Sequence, residues 1–397
     1  MYRPVLVLLA LVISSAFPET ADIPAGTSPE LFLLRDGLQQ SRMVFETTRQ
    51  GRVAYLGGSI TASPGWRDIT YDLLKERFPD TTFDFINAGV GGTNSTFGAF
   101  RLKDEVFGKG PVDLLFLEFA VNDGADSTPG NRPLRAMEGI IRQARTLNPR
   151  MDICMLYFAD TEKVETYKKG ETPEIIQLHE TVAEHYGIPV IYLAAEVTRR
   201  INAGALDWAR FSRDSCHPTE EGHALYGKCI DLLLHAAWGS ASSAEKTLIT
   251  RPLPEPLDPL NYEHGRFVPL DQAHIIEGWK RLPQWDTEKK CNYGGTVDVL
   301  AAEAPGAVLE LTFEGTVIAV SAIAGMDAGS IDVSIDGGTP THRDFFDSYC
   351  TQFHRPVFHV LAEDMAPGEH SLRITVTGDS NPQSTGHAVR IQKFAVN

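Results

Sequence analysis

The stretch VAYLGGSIT at residues 53–61 decides the fold class, because it joins an apolar strand-like run to a glycine turn. Gly57 and Gly58 let the backbone bend sharply and approach a ligand closely. Ser59 then lies at the C-terminal end of a strand, where open α/β sheets place their ligands. Such a turn is common in α/β proteins, so the stretch alone is weak evidence for a nucleophile.

Apolar strand-like runs alternate with amphipathic helical stretches between residues 51 and 240. The run LLFL at 114–117 is typical of a strand that is covered on both faces. The alternation predicts a doubly wound parallel sheet with right-handed crossovers. The predicted strands cover 53–57, 83–87, 113–120, 152–158 and 189–193. The predicted helices cover 65–78, 97–107, 134–147, 174–186 and 219–238.

The sequence changes character after a proline-rich segment, RPLPEPLDP at 251–259, which we expect to be extended. Beyond it, apolar residues occupy alternate positions at 309–313, 331–335 and 372–376, with glycine turns between the runs. This pattern predicts a jelly-roll-like β-sandwich. The predicted divisions are a lead-in at 17–50, an α/β domain at 51–240, a linker at 241–269 and the sandwich at 270–397.

The N-terminus resembles a secretory signal at residues 1–16. It combines a basic Arg3, an apolar run at 5–13 and small residues at 14–16. The apolar run is too short to span a bilayer, although a permanent N-terminal anchor is the alternative. We therefore expect a secreted or periplasmic protein that has no membrane contact after cleavage.

The chain has 397 residues, of which 43% are hydrophobic and 22% charged, so it can bury a full core. Its net charge of −16 argues against nucleic acid or an anionic membrane as partner, and it is compatible with neutral substrates. The oligomeric state is left open.

Export permits disulfides, but the five cysteines are an odd number. Cys291 could pair with Cys350, and Cys216 with Cys229, since sequence alone fixes no connectivity. None of the cysteines has the short paired spacing of a zinc site, so we predict no metal.

Four segments carry candidate chemistry: GGS at 57–59, NAGVGGTNS at 87–95, AVNDG at 120–124 and DSCHP at 214–218. In the last segment, Asp214 can lie beside Nδ1 of His217, which leaves Nε2 free to take a proton from a serine. A capping Asp and a surface His would give the same pattern. Gly92, Asn122 and the N–H of Ser59 can donate to a developing oxyanion, although tight turns alone would also explain these residues.

Taken together, and in this order, the four segments resemble those of the SGNH hydrolases, also called GDSL-type esterases. The likeness covers residues from about 51 to 238. Gly58 replaces the family's Asp in the first block, and Ala120 replaces the Gly of the third. The fourth block matches fully.

The resemblance implies a flavodoxin-like fold and acyl transfer to water without a cofactor or metal. It makes Ser59 the nucleophile, His217 the base and Asp214 its orienting carboxylate, with Ser59, Gly92 and Asn122 forming the oxyanion hole. We expect a secreted esterase that removes short acyl groups, above all acetyl, from a small-molecule or polysaccharide ester. The alternatives are a lipid or thioester acylhydrolase and a catalytically inactive glycan-binding protein.

Other residues allow both a functional and a structural interpretation. Trp66 and Arg67 could line the substrate pocket, although packing is the commoner role of such residues. His179 and His185 are expected to be solvated, and His223 to face away from His217. Four aromatic residues of the second domain could form a sugar-stacking platform or belong to its core: Phe345, Phe346, Tyr349 and Phe353.

Overall fold

The computed structural model describes residues 31–125, 130–239, 249–286 and 296–397. The predicted signal peptide at 1–16 lies outside these residues, as does Cys291. Within the described residues, no helix is long and apolar enough to cross a membrane.

A six-stranded sheet forms the centre of the N-terminal domain. Its strands are β1 Phe32–Leu33, β2 Gln50–Gly57, β3 Thr82–Gly89, β4 Leu114–Glu118, β5 Asp152–Leu156 and β6 Val190–Ile191. The spatial order is β1-β6-β5-β4-β2-β3, and β2 to β6 pair in parallel. This order of the five parallel strands is that of the flavodoxin-like fold, which confirms the predicted class.

The edge strand β1 departs from the prediction because it pairs antiparallel with β6, so the sheet is mixed. It comes from the segment that sequence reasoning treated as a lead-in. A strand of two residues is too short to show an alternating pattern.

Eleven helices among the described residues surround the sheet. They are α1 Gln39–Thr48, α2 Ser59–Ala62, α3 Trp66–Arg77, α4 Ser95–Glu105, α5 Ala120–Ala125, α6 Arg132–Leu147, α7 Thr161–Lys168, α8 Glu174–His185, α9 Leu193–Asn202, α10 Trp208–Phe211 and α11 Glu220–Trp238. The five predicted helices are present as α3, α4, α6, α8 and α11, each with both ends within two residues of the prediction. The remaining helices are mostly short.

The C-terminal region is built from antiparallel strands. They are β7 Arg266–Val268, β8 His274–Glu277, β9 Lys280–Asp286, β10 Thr296–Ala302, β11 Val308–Glu314, β12 Ile318–Ala324, β13 Ser330–Ile335, β14 Thr341–Asp344, β15 Arg355–Ala362, β16 Glu369–Val376 and β17 Val389–Val396. One sheet has the order β15-β12-β17-β10-β9, with β7 on β17, and the other has the order β14-β13-β16-β11-β8.

The apolar side chains at the predicted alternate positions fill the space between these two sheets. Leu309, Leu311 and Phe313 on β11 are all buried, and so are Leu372 and Ile374 on the neighbouring β16. Their side chains belong to a core that is separate from the core of the α/β domain. The predicted β-sandwich is confirmed.

The described part of the segment between the domains has no helix or strand before β7, yet it packs closely on α6. Tyr262 is fully buried, its N–H donates to the carbonyl of Arg135, and its carbonyl accepts from Gln143. A Cβ on Gly139 would collide with the Tyr262 backbone, so this glycine permits the close approach. The segment therefore fastens the sandwich to the α/β domain.

The sandwich also contacts α4 and α6 directly. The ring of Phe358 on β15 lies 4.9 Å from that of Phe97 and 5.5 Å from that of Phe100, centroid to centroid. Arg132 at the start of α6 forms an ion pair with Glu363 at 2.7 Å. These contacts place β15 beside the loop that precedes α4.

The cysteines correct one expectation. Cys216 and Cys229 are both free thiols, so the suggested bond between them is wrong. Cys154 and Cys350 are buried, and burial raises the pKa of the Cys350 thiol to about 11.

Candidate active site

The nucleophile turn follows β2, which lies in the sheet between β3 and β4. Ser59 is the first residue of α2, immediately after the turn glycines. The carbonyl of Gly57 accepts from the N–H of Val90 at 3.0 Å and from the buried guanidinium of Arg101 at 3.2 Å. These contacts from two sides fix the point at which the chain leaves the sheet.

Ser59, His217 and Asp214 form one hydrogen-bonded chain. Ser59 Oγ lies 2.8 Å from His217 Nε2, although the two residues are 158 positions apart in sequence. His217 Nδ1 lies 2.8 Å from Asp214 Oδ2. The histidine side chain is 35% exposed and the aspartate side chain 52% exposed, so the chain of contacts is open to solvent.

The loop that carries His217 is fixed by the same carboxylate. Asp214 Oδ1 accepts from the backbone N–H of Cys216 at 2.9 Å and of His217 at 2.8 Å. Trp208 Nε1 donates to the carbonyl of Asp214 at 2.8 Å. Thr219 then caps α11 through the N–H of Gly222, which begins the predicted final helix one residue later than expected.

These contacts also determine the charge of Asp214. Partial burial raises its pKa, but hydrogen bonds from the N–H groups of His217 and Cys216 and from the His217 ring outweigh burial. The net result is a pKa of about 2, below the ordinary value of 3.8. Asp214 is therefore an anion at neutral pH, as a group that stabilises an imidazolium must be.

Two donors lie near Ser59. Gly92 has φ +70°, a left-handed conformation that favours glycine, and it lies on an exposed loop. Within the described part of the chain, neither the Gly92 N–H nor the Asn122 side-chain amide donates to a protein acceptor. Both are therefore free to bind an oxygen atom of a substrate.

The neighbouring glycines explain how these donors come close to the serine. A Cβ on Gly91 would lie 3.7 Å from the Cβ of Ser59, so the loop passes close to the Ser59 side chain. A side chain at Gly58 would collide with the amide of Asn122. The departure from the family pattern at Gly58 thus leaves the space that Asn122 occupies.

The third motif corrects the predicted strand at 113–120, because β4 ends at Glu118 and Ala120–Ala125 is the short helix α5. Glu118 at the end of β4 accepts the N–H of Val121 at 3.3 Å, which satisfies a donor in the first turn. Glu118 is fully buried, and burial raises its pKa to about 8. The residue that caps this short helix belongs to the preceding buried strand. The sequence of the helix itself therefore gives little indication that a helix is present.

His179 corrects a second expectation. It is buried on α8, not solvated, and its Nε2 lies 2.8 Å from Asp123 Oδ2. His185 on the same helix is exposed, as expected. His223 faces the backbone N–H of Trp66, and burial lowers the pKa of His223 to about 4.

The two candidate pocket residues after the nucleophile turn lie in the interior. The Trp66 ring packs in the core between Tyr55 and Phe158, at 5.3 Å from each ring. Arg67 is buried and donates to the carbonyls of Ala62 and Ser63. Burial of Trp66 and Arg67 favours the packing interpretation over the pocket-lining one.

The sandwich contributes a residue that sequence reasoning did not identify. Arg355 Nη2 lies 3.4 Å from the carbonyl oxygen of Gly92, and its Nη1 pairs with Asp347. The Arg355 guanidinium lies 5.1 Å from the ring centroid of Tyr349, which is 55% exposed. Since Gly92 and Arg355 are 263 positions apart, no local signal could have predicted this contact.

The other aromatic candidates of the sandwich divide between core and surface. Phe345 and Phe346 are buried in the sandwich core, whereas Phe353 is partly exposed. The Phe353 ring lies 6.3 Å from that of Tyr349. Tyr349 and Phe353 are thus the two that an external ligand can reach.

One group of side chains among the described residues has the spacing of metal ligands. Asp214, Cys216 and His217 each offer an atom within 4.8 Å of the others. The same carboxylate and imidazole atoms already bond each other, so a cation at this position would compete with the contact to Ser59. The donor set does not fit a resident metal together with an intact hydrogen-bonded chain.

The α/β domain that carries this site resembles a known family of proteins. Residues 55–225, which form most of the α/β domain, match the model of the GDSL-like lipase/acylhydrolase family. No curated protein sequence matches the chain.

Two solved structures resemble both domains together. They are two crystal structures of a two-domain esterase active on acetylated mannans, one of them co-crystallised with mannopentaose. Each is 22% identical to this chain, with a TM-score of 0.73, and each likeness covers 91% of this chain. It covers 95% of the mannopentaose complex and 96% of the other structure. At this identity the likeness establishes a shared two-domain fold.

Proposed function

We propose that the protein is a serine esterase that removes short acyl groups, above all acetyl, from carbohydrate. The observation that carries the proposal is the contact of 2.8 Å between Ser59 Oγ and His217 Nε2, with Asp214 on the other ring nitrogen. A nucleophile, a base and an orienting carboxylate in hydrogen-bond contact are what acyl transfer requires.

In the first half of the reaction, Ser59 Oγ attacks the ester carbonyl carbon while its proton passes to His217 Nε2. Asp214 remains ionised and stabilises the imidazolium that forms. The carbonyl oxygen becomes an oxyanion, which accepts hydrogen bonds from the free Gly92 N–H and the Asn122 amide. Each such donor contributes about 3–4 kcal/mol to transition-state stabilisation.

The intermediate then collapses and the C–O bond of the ester breaks. His217 returns its proton to the departing alcohol oxygen, which leaves the acyl group on Ser59. A water molecule loses a proton to the same Nε2 and attacks the acyl carbon. The bond between that carbon and Ser59 Oγ then breaks, the carboxylic acid leaves, and His217 returns the proton to Ser59 Oγ. The cycle uses groups of this chain and water.

Three observations support an acetylated carbohydrate as substrate. The two-domain fold is shared with an esterase that is active on acetylated mannans. Tyr349, an accessible aromatic ring of the sandwich, lies next to Arg355, which contacts the Gly92 loop, and Phe353 lies next to Tyr349. Aromatic rings of this kind can stack on sugars. A net charge of −16 suits a neutral polysaccharide better than a polyanion.

The proposal includes export, which rests on the signal-like sequence at residues 1–16. A polymeric substrate outside the cell requires an exported enzyme. Mass spectrometry of the mature protein from the native host tests this part, and a polypeptide that still begins at residue 1 in the cytoplasm would contradict it.

The direct test replaces the nucleophile. Ser59→Ala is expected to lower acetate release from acetylated mannan by roughly 10⁴-fold or more, because the covalent step is lost. Binding of the polysaccharide, measured by calorimetry, should remain. Unchanged acetate release by the variant would overturn the proposed function.

One observation favours the acylhydrolase alternative. A cavity of about 320 Å³ lies between the domains, and its lining combines Gly91, Phe97 and Phe267 with the charged Glu105 and Lys393. Because Gly91 lies against Ser59, this space is near enough to receive an acyl chain. Rates on nitrophenyl esters from acetyl to palmitoyl separate the two: a maximum at acetyl supports the proposal, and a maximum at long chains supports the alternative.

A further inference from the structure

Asp123 and His179 form a second Asp–His pair, below the surface of the site. Both side chains are only 1% exposed, and Asp123 Oδ2 lies 2.8 Å from His179 Nε2. The other carboxylate oxygen, Oδ1, accepts the backbone N–H of Ser95 at 2.8 Å. All the contacts of this carboxylate are therefore within the protein interior.

The Asp123 carboxylate can influence catalysis because it lies next to the two segments that carry the proposed oxyanion donors. Asp123 directly follows Asn122 on α5, so its backbone is continuous with one proposed oxyanion donor. Ser95 is the first residue of α4 and lies three positions after Gly92, the other donor. The Asp123 carboxylate thus joins the two segments that carry the donors.

We propose that Asp123 and His179 act as positioning residues that hold the Gly92 and Asn122 donors at the distance an oxyanion needs. The inference rests on the proposed function and deepens it. Preorganised donors stabilise a transition state only if they need not move as charge develops. A displacement of about 1 Å can cost about 10²-fold in rate.

His179 is needed because Asp123 is buried. A carboxylate without a charged or hydrogen-bonded partner is costly in the interior and would rotate or take up a proton. Lys163 lines the same cavity as Asp123, but it is already paired with Asp160 at 2.5 Å. His179 from α8 therefore supplies the donor that keeps Oδ1 directed at Ser95.

The test uses two amide replacements that differ only in reach. The amide of Gln extends to about the position of the histidine Nε2, whereas that of Asn extends only to about the position of Nδ1. His179→Asn is expected to lower kcat on nitrophenyl acetate about 10- to 100-fold with KM within about two-fold, because oxyanion contacts form in the transition state. His179→Gln should restore kcat to within about five-fold of wild type.

A double-mutant cycle tests whether the two residues act as a unit. Asp123→Ala combined with His179→Asn should lose no more kcat than the worse single variant. His185→Asn, on the exposed face of the same helix, is the matched control and should match wild type. Circular dichroism shows whether each variant is folded. The rate of Ser59 labelling by a fluorophosphonate shows whether the donors still support attack by Ser59.

The outcomes separate this inference from the proposed function. The inference would be overturned, and the proposed function would stand, if the wild type is an active esterase and the folded His179→Asn variant has a kcat within two-fold of it. A fall in stability of His179→Asn without a fall in kcat would do the same. If His179→Asn does not fold, the test uses His179→Gln, whose side chain keeps the contact with Asp123. A loss of kcat in His179→Gln that equals the loss in Asp123→Ala overturns the inference. Absence of esterase activity in the wild type would overturn the proposed function and with it the inference.

Discussion

Two Asp–His pairs with the same separation of 2.8 Å lie in the candidate site, one in contact with Ser59 and the other in the interior. In the Asp214–His217 pair the carboxylate contacts Nδ1, and Nε2 is left to face Ser59. In the Asp123–His179 pair the carboxylate contacts Nε2 itself. The first pair is half exposed and the second is almost completely buried.

Both pairs consist of an aspartate and a histidine, so residue type alone does not determine what a pair can do. The ring nitrogen that the carboxylate contacts determines it. A pair that presents a free Nε2 to a serine can move protons, whereas a pair whose Nε2 is already bonded to the carboxylate can only fix the backbone around it. Burial reinforces this division, because a buried pair has no path to a substrate. Three changes test how far the two sides of the site are independent.

The largest effect is expected on the exposed side. Asp214→Asn keeps an acceptor for the N–H groups of Cys216 and His217 but turns an amide toward Nδ1, which favours the wrong tautomer of His217. We expect kcat to fall roughly 10²- to 10⁴-fold. Because the pKa of Asp214 is about 2, the deficit should be the same across neutral and mildly acidic pH.

The measurement is a pH–rate profile of both enzymes, together with thermal unfolding. Since the Asp214 carboxyl has a lowered pKa, the stability it contributes is present above pH 4 or so and is lost as the pH falls toward about 2. Recovery of the variant's activity at any pH between about 5 and 8 would contradict the assignment of Asp214.

A change on the buried side should act on stability more than on rate. Burial raises the pKa of Glu118 from the ordinary 4.5 to about 8, so the folded state holds a proton that the unfolded state has lost. The free energy of unfolding therefore falls as the pH rises through this window. Glu118→Gln removes the titration, and the difference in stability between about pH 5 and about pH 8 should shrink by on the order of 3 kcal/mol.

Denaturant unfolding at the two pH values measures this effect. Glu171→Gln, which replaces an exposed glutamate, is the matched control and should leave the pH dependence unchanged. The stability of Glu118→Gln is expected to fall less between these pH values than that of wild type does. An equal fall in both proteins would show that Glu118 is not the titrating group.

The smallest effect is expected where the sandwich meets the site. Arg355→Ala removes the contact with the Gly92 carbonyl, which is long at 3.4 Å, so we expect kcat to fall only about two- to five-fold. Arg373→Ala, which breaks an exposed ion pair elsewhere on the sandwich, should leave kcat unchanged. Equal rates for the two variants would show that the sandwich does not influence the oxyanion loop.

The α/β class, the sandwich and the residues of the hydrogen-bonded chain could all be predicted from local patterns. Alternating burial along β11 is visible as an apolar residue at every second position, and the DSCHP segment contains its own hydrogen-bond partners. The helix α5 could not be predicted, because the group that caps it is the buried Glu118 of the preceding strand. His179 was expected at the surface, since its partner Asp123 is 56 positions away.

The sequence by itself predicted the five parallel strands, five of the helices and the residues that form the hydrogen-bonded chain, because periodicity and motif spacing are local properties of the polypeptide. Only the tertiary structure decided what surrounds those groups. The sheet brings Ser59 to His217, α8 turns His179 toward Asp123, and the sandwich places Arg355 beside Gly92. These contacts join residues that are far apart in sequence, and their strength depends on burial, which the folded chain alone establishes.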